Sequence, residues 1–400
     1  MELTLLGTGA PSGLPRPDCP CAACAAARGA QARAATALLV DDALMLDLTP
    51  GAALSAARAG HSLVGVRHVL LTHPHDGPAM ELPAGLPTAG RVPDGQELTL
   101  ISGHRVRAIA MDSPGTGYEV TSPDGERLLY LPPHGGPAGM PDGEPIPYDM
   151  VVADVVGRPD ALARLRATGA IGPSTDVVAV HIDHDVPPGA ELARRLAAAG
   201  ARAVPDGTTL YVGEYHAVPD VPRRTLVTGG ARSGKSLEAE RRLESFPDVV
   251  YVATSGTRAG DPDWAARVAA HRDRRPGSWR TIETCDLVPL LAESGPPLLI
   301  DCLALWLTDA MDTVGAWDDE RWESSAREAL HARTAALVSA LRTTRRHVVA
   351  VTNEVGAGVV PATASGRRFR DELGRLNAAF AAECEHVLLV VAGQALPLRG

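Results

Sequence analysis

Residues 225–243 read TLVTGGARSGKSLEAERRL and contain Lys235, the only lysine among 400 residues. An apolar strand pattern, TLVTG, runs into a glycine-rich turn, and a helical pattern, LEAERRL, follows it. Residues 229–236 fit the spacing G-x-x-x-x-G-K-[ST], in which backbone N–H groups cradle phosphate. At every other position where the chain has lysine or arginine, the residue is arginine. Lysine is required at position 235 because a compact ammonium fits between phosphates where the planar guanidinium does not. The stretch predicts a nucleoside triphosphate site rather than a chance glycine-rich turn.

The predicted phosphate loop also implies a magnesium site. The Ser236 hydroxyl can hold Mg²⁺, and Asp301, at the end of the apolar run PPLLID, is the predicted acidic partner. Alone, Asp301 could equally cap the turn after its strand. Lys235 is the predicted catalytic cation. The residues predicted to bind the triphosphate are Gly229, Gly230, Ala231, Arg232, Ser233, Gly234, Lys235 and Ser236.

Length and composition predict a two-domain protein. A chain of 400 residues exceeds one ordinary core, and the proline-containing segment HAVPDVPRR, residues 216–224, predicts a linker between domains 1–215 and 225–400. The formal net charge of −10 argues against a nucleic-acid partner. No apolar run approaches the roughly 20 residues of a membrane span, and the first residues lack a signal-peptide pattern, so we expect a cytoplasmic protein.

Apolar patterns predict an α/β fold in both halves. In the second half, short apolar strands (TLVTG, DVVYVAT, PLLIDCL, HVVAVTN, HVLLVVAG) alternate with helical stretches at 318–344 and 366–383. This pattern predicts a P-loop NTPase-type parallel sheet flanked by helices. In the first half, many short strands with intervening helices predict a sandwich of two sheets with helices outside, an αββα arrangement.

A second chemistry is predicted around His271. Asp263 can cap a helix that runs to about residue 275, where Pro276 ends it. Arginines surround His271 and disfavour its protonated form, which keeps the imidazole nucleophilic. The same arginines would neutralise charge on a phosphate under attack. A solvated helix end whose cations complement the helix dipole is an equally good interpretation from the residues alone.

The second half resembles the cobinamide kinase/cobinamide-phosphate guanylyltransferases. The resemblance covers residues 225 to about 397 and rests on TGGARSGKS, YVATS, AARVAAHRDRRPGSWRTIE, LLIDCLALWLTD, VTNEVGAGVVP, RRFRDELGRLN and LLVVAGQALPL. It implies phosphorylation of adenosylcobinamide with ATP or GTP, and then GMP transfer from GTP through a guanylylated histidine.

The same resemblance assigns residue roles. His271 matches the guanylylated histidine, and Ala270 stands where some members have a second one. Members of this family form trimers, which implies a homo-oligomer here. The further positions implied to contact nucleotide or metal are Ala253, Thr254, Ser255, Arg272, Asp273, Arg274, Arg275, Glu283 and Asp301.

The first half, residues 1 to about 215, resembles the metallo-β-lactamase fold of the cyclic phosphodiesterase type, through LTLLGTGAPSG, ALMLDLTPG and VRHVLLTHPHDGPAMEL. Working members present H-x-H-x-D-H, but here His73, His75 and Asp76 are followed by Pro78. A histidine and a bridging aspartate are also missing further along, although His134, His181 and His184 lie nearby in sequence. We expect a fold that kept its shape and lost its chemistry. A single weakly held metal is the alternative.

Cys19, Cys21 and Cys24 form a C-x-C-x-x-C cluster that predicts a structural Zn²⁺ site. The resemblance implies a fourth ligand near the end of the domain, and His216 is the candidate by position. Three free thiols in a loop are the alternative.

Rival functions are a kinase that has lost guanylyl transfer, and a metal-dependent phosphodiester hydrolase in the first half. A scaffold role for the first half is a third hypothesis.

Overall fold

The computed structural model describes residues 1–73, 85–139, 146–214, 223–254 and 275–400. The chain divides into two compact units, Met1–Val221 and Pro222–Gly400. Each unit has its own hydrophobic core. No helix in the described ranges is long and apolar enough to cross a bilayer.

The first unit is built on two sheets. One has five strands in the order β11-β1-β2-β3-β4 and the other has six in the order β10-β9-β8-β7-β6-β5. The strands are β1 (Glu2–Gly7), β2 (Ala37–Val40), β3 (Leu44–Leu46), β4 (His68–Leu70), β5 (Glu97–Thr99), β6 (Arg105–Ala110), β7 (Thr116–Thr121), β8 (Arg127–Tyr130), β9 (Met150–Ala153), β10 (Asp176–Ala179) and β11 (Thr208–Tyr211). The α-helices are α1 (Ala22–Ala26), α2 (Ala52–Arg58), α3 (Pro159–Ala167) and α4 (Ala190–Ala198).

Alternation along the strands produces the layers of this unit. In β2, Leu38 belongs to the core shared by both sheets, whereas Leu39 belongs to the cluster under α2. In β8, Leu128 belongs to the shared core, whereas Leu129 packs with α3 and α4. Since successive strand residues point to opposite faces, each sheet contacts its partner on one side and helices on the other. The predicted αββα sandwich is confirmed.

The second unit contains one seven-stranded sheet in the order β14-β13-β15-β16-β12-β17-β18, parallel except for the last strand. Its strands are β12 (Arg224–Gly229), β13 (Val250–Ala253), β14 (Arg280–Glu283), β15 (Leu298–Asp301), β16 (Val348–Asn353), β17 (His386–Val391) and β18 (Gln394–Arg399). Its described helices are α5 (Lys235–Arg241), α6 (Leu287–Ala292), α7 (Leu303–Val314), α8 (Asp319–Arg321), a π-helical turn (Trp322–Ala326), α9 (Arg327–Thr343) and α10 (Ala364–Ala382).

The central strands of this sheet are buried along nearly their whole length, because helices cover both faces. The five strands predicted in this half are confirmed as β12, β13, β15, β16 and β17. The helix predicted at 318–344 is confirmed with a π-helical turn inside it, and the one at 366–383 is confirmed as α10. The predicted helix at 263–275 and most of the linker at 216–224 lie outside the described residues, and Arg224 already belongs to β12.

Candidate phosphate-transfer site and candidate metal centre

The glycine-rich stretch is the turn between β12 and α5. Arg232 and Gly234 have left-handed backbone, with φ of +59° and +97°. A Cβ on Gly229 would lie 2.5 Å from Val390 O and 2.6 Å from Ser233 Oγ, so the packing admits only glycine there. A Cβ on Gly230 would meet open space. The loop is tightly wrapped on its inner side and open on its outer side.

The loop and the first turn of α5 carry hydrogen-bond donors that could bind an anion. Lys235 Nζ donates to Gly230 O at 3.1 Å. Ser233 Oγ is buried and has no hydrogen-bond partner among the described residues. An unpartnered buried hydroxyl is costly, and a phosphate oxygen would accept its proton. Ser236 follows Lys235 in the first turn of α5, where the positive end of the helix dipole favours an anion. The donor set fits a triphosphate.

Strand register brings the other predicted residues to the same edge of the sheet. Ala253 pairs in register with both Glu283 and Asp301. Gly229, at the start of the loop, pairs with Asn353. Since parallel strands end on one side, the phosphate loop and the strand-end carboxylates share the edge where ligands bind in α/β sheets. The sequence assigned no role to Asn353, which the register places beside the loop.

Two side chains fix the surroundings of Asp301. Tyr251 Oη donates to Asp301 Oδ2 at 2.9 Å. Thr254 is buried, and its hydroxyl donates to Cys302 O at 2.7 Å and accepts from Cys302 N at 2.8 Å. Thr254 thus holds the turn that follows Asp301. Sequence reasoning missed Tyr251, although its position two residues before Ala253 puts both on one face of β13.

Most of the predicted guanylyl-transfer segment lies outside the described residues, namely Ser255, His271, Arg272, Asp273 and Arg274. Arg275 is described. Its guanidinium carbon lies 3.3 Å from the centroid of the Tyr251 ring. Its Nε lies 3.8 Å from Glu240 Oε1, and its side chain is only 8% exposed. Arg275 therefore packs on the residue that contacts Asp301.

The cysteine cluster of the first unit gains a histidine. His184 Nδ1 lies 3.1 Å from Cys19 Sγ, 3.7 Å from Cys21 Sγ and 3.6 Å from Cys24 Sγ. A tetrahedral zinc with bonds of about 2.3 Å to sulfur and about 2.0 Å to nitrogen has S···N edges of about 3.5 Å. The four ligand atoms fit Zn²⁺ and form a complete set. His216, the ligand implied by the resemblance, lies outside the described residues.

Neighbouring groups support this candidate metal centre. The backbone N–H of Cys24 points at Cys21 Sγ, and this contact is the main cause that lowers the pKa of the Cys21 thiol to about 7. Arg16 forms a two-pronged ion pair with Asp183, the residue before His184. That pair ties the segment before the cysteines to the turn that carries His184. Such partners orient metal ligands.

A buried polar cluster occupies the strand ends between the two sheets of the first unit. Asp47 is fully buried and accepts from Tyr130 Oη at 2.6 Å and from Thr72 Oγ1 at 2.7 Å. Asp47, His134 and His181 have left-handed backbone, with φ of +58°, +55° and +55°. Strained backbone of this kind concentrates at functional sites. The sequence did not single out Asp47 or Tyr130.

The histidines at these strand ends are not gathered as metal ligands. His181 Nε2 lies 3.2 Å from Leu131 O, and His134 Nδ1 lies 3.3 Å from Asp154 Oδ2. In the described ranges, two groups place three or more possible ligand atoms close enough together to hold one metal ion. They are the cysteine cluster with His184, and a surface group of Glu2, Asp42 and His61. Neither contains His73, His134 or His181. His75 and Asp76 lie outside those ranges.

Burial of His181 predicts acid sensitivity of the first unit. Desolvation lowers the pKa of His181 from 6.5 to about 4, so between these values the unfolded state binds a proton that the folded state does not. Stability is full above about pH 6.5 and falls as the pH drops towards 4, by about 3 kcal/mol at 1.4 kcal/mol per pKa unit. Calorimetric melting of the full chain from pH 7 to pH 4.5 should show a shallower decline for His181→Gln than for wild type. Equal slopes for wild type and His181→Gln would contradict the assignment.

Among solved structures, the chain is similar at low level to a diphosphatase of the PhnP family, with 19% identity and a TM-score of 0.40, over 55% of this chain and 99% of that one. It is also similar to zinc-bound PqqB from Methylobacterium extorquens, with 17% identity and a TM-score of 0.37, over 53% of this chain and 100% of the other.

The second unit has close relatives. The family model for cobinamide kinase/cobinamide phosphate guanyltransferase matches residues 225–398. The bifunctional adenosylcobalamin biosynthesis protein CobP of Pseudomonas aeruginosa is 43% identical over 182 residues, which is 44% of this chain and 98% of that protein. The corresponding CobU of Salmonella typhimurium is 40% identical over 179 residues, which is 42% of this chain and 95% of that protein. Through its second unit, the chain belongs to the cobinamide kinase/cobinamide phosphate guanyltransferase family.

Proposed function

We propose that the second unit phosphorylates the hydroxyl of adenosylcobinamide with ATP or GTP and then transfers GMP from GTP to the new phosphate. The observation that carries this proposal is the predicted phosphate loop with Lys235 at its mouth, in a chain of which 182 residues are 43% identical to a bifunctional adenosylcobalamin biosynthesis protein. The test is whether wild-type protein retains the label of α-labelled GTP in an acid-labile bond. Protein that retained no label would exclude the two-step mechanism.

In the first step the loop grips the triphosphate tail. The open side of the loop, the Ser233 hydroxyl and the Lys235 ammonium offer donors to the β- and γ-phosphates. The ammonium neutralises charge as the γ-phosphoryl group passes to the acceptor hydroxyl. Ser236 and Asp301 are the residues that would hold Mg²⁺, which neutralises phosphate charge when bound.

In the second step His271 is the nucleophile. Its imidazole nitrogen attacks the α-phosphorus of GTP, a P–N bond forms, and the bond to pyrophosphate breaks. An oxygen of the cobinamide phosphate then attacks the same phosphorus and releases the imidazole. Arg272, Arg274 and Arg275 follow His271 in sequence and would offset the charge that develops.

We further propose that Cys19, Cys21, Cys24 and His184 hold a structural Zn²⁺, with His184 in the place first given to His216. Zinc in such a closed four-ligand site supplies stability rather than chemistry. Purified full chain should contain about one zinc ion, and His184→Ala should lose it and melt at a lower temperature. His216→Ala is the matched control and should keep the metal. The reverse pattern, with zinc lost only from His216→Ala, would contradict this ligand set.

The hydrolytic centre of the first unit is, in our proposal, lost. Asp47 is satisfied by Tyr130 and Thr72, and in the described ranges the nearby histidines do not form a group of metal ligands with it. Hydrolysis by a metal needs a filled ligand set with one open position. More than about one metal ion per chain in the zinc measurement would revive the hydrolase hypothesis. The homo-oligomeric state and the cytoplasmic location stay predictions.

A further inference from the structure

Tyr251 lies beside the predicted magnesium ligand Asp301 in the second unit. It lies on β13 with only 6% of its surface exposed, and its hydroxyl reaches Asp301 Oδ2 on the neighbouring strand at 2.9 Å. Ala253 and Asp301 are paired in register at the ends of their strands. Tyr251 lies two residues before Ala253 and therefore on the same face of the sheet. Because its hydroxyl donates to the predicted magnesium ligand, Tyr251 is placed to orient that ligand.

Arg275 covers the other side of this contact. Its guanidinium carbon lies 3.3 Å from the ring centroid, and its Nε is 3.8 Å from Glu240 of α5, the helix that begins at Lys235. A cation over the ring draws electron density from the phenol and makes the hydroxyl a stronger donor. The ring of Tyr251 is buried, and its hydroxyl donates to the carboxylate of Asp301.

We propose that Tyr251 is a positioning residue for the carboxylate of Asp301: its hydroxyl holds Oδ2 and orients the side chain that would bind Mg²⁺. Arg275, the last member of the arginine run in the sequence, packs on the ring of the same tyrosine. The inference rests on the proposed function, because it assumes that Asp301 serves the bound nucleotide.

The hydroxyl can be separated from the packing of the ring. Phenylalanine keeps the ring and its contact with Arg275, and it removes only the hydrogen bond to Asp301. Outer-shell partners of metal ligands are typically worth about 10- to 100-fold in metal affinity or activity. We therefore expect Tyr251→Phe to change the Mg²⁺ concentration that half-saturates the reaction, and not the affinity for the nucleotide in the absence of metal.

The experiment is a magnesium titration of phosphoryl transfer in the full chain, with wild type and Tyr251→Phe. We expect the half-saturating Mg²⁺ concentration to rise about tenfold in the variant, while GTP affinity measured by calorimetry in excess chelator stays unchanged. Arg275→Lys, which keeps the charge and loses the planar stacking group, should shift the requirement in the same direction by less. This second variant keeps the test informative if Tyr251→Phe folds poorly.

Tyr148→Phe is the matched control, because Tyr148 Oη donates to Glu119 Oε2 at 2.9 Å in the first unit. It should leave the titration unmoved. Identical titrations for wild type, Tyr251→Phe and Arg275→Lys would overturn the inference, as would a loss of activity by the same factor at every Mg²⁺ concentration. A wild type without magnesium-dependent transfer would instead remove the proposed function itself, so the two failures are distinguishable.

Discussion

Kinase activity should fall by about 10²- to 10³-fold in Lys235→Ala, because removing one preorganised charge-stabilising donor from an active site costs about that much. Lys235 is the cation at the mouth of the loop, where its ammonium now donates to Gly230 O at 3.1 Å. No second lysine exists in the chain to replace it. Phosphoryl transfer to adenosylcobinamide, measured with γ-labelled ATP, gives the readout. Nucleotide affinity should fall as well, since in the proposed complex the ammonium would also contact the ground-state triphosphate.

Two further substitutions sharpen this prediction. Lys235→Arg keeps the charge, and most of the loss should persist because the wide guanidinium does not fit between phosphates. Arg241→Ala removes an exposed cation from the same helix and should leave activity at the wild-type level. Full activity in Lys235→Arg would show that charge alone matters and that the geometric argument is mistaken.

Covalent GMP labelling should disappear entirely in His271→Ala, whereas kinase activity should remain. The imidazole is the proposed nucleophile, so without it no P–N bond can form and no label can be retained. Incubation with α-labelled GTP, followed by acid and base treatment of the denatured protein, measures the adduct. A phosphoramidate is lost in acid and survives base, which separates it from a serine or threonine ester.

His331→Ala is a suitable control for that experiment. His331 lies on α9 with its ring 3.1 Å from Glu372 of α10, and its variant should label like wild type. Loss of both labelling and kinase activity in His271→Ala would point to a structural role for the segment. Labelling that survives in His271→Ala would place the nucleophile elsewhere.

Apolar patterns predicted the centre of the second sheet and failed at its margins. Strands such as β15 and β16 are buried on both faces, so their sequences are continuous apolar runs. The edge strand β14 reads RTIE and is mostly exposed, and β18 contains Pro397, so neither carries that signal. Helix α7 was not singled out from the sequence, although its buried residues Leu303, Leu307 and Ala310 recur at helical spacing.

The turn between β12 and α5 could be predicted from sequence because its signal is local. Glycines, lysine and serine stand within eight consecutive residues, and their spacing carries the geometry. The contact of Tyr251 with Asp301 joins residues 50 apart on neighbouring strands, and only the pairing of those strands reveals it. His184 joined the cysteine cluster for the same reason, since 160 residues separate it from Cys24.

The first unit shows a different limit of sequence reasoning. The missing ligands of H-x-H-x-D-H were visible, but the residues that occupy the strand ends were not. Asp47 follows an apolar strand in LMLDL, as Asp301 does in LLID, and nothing in the letters separates them. Their environments do: Asp47 is fully buried and bonded on both oxygens, whereas Asp301 is half-buried with one oxygen engaged by Tyr251.

The scarcity of lysine gives the molecule an unusual chemical simplicity. Apart from the amino terminus, a reagent that acylates primary amines finds one side chain to modify, and it lies where the triphosphate would bind. The mass gained at that single position therefore reports whether the nucleotide pocket is filled, and it does so in unaltered protein. This property follows directly from an arginine-rich composition.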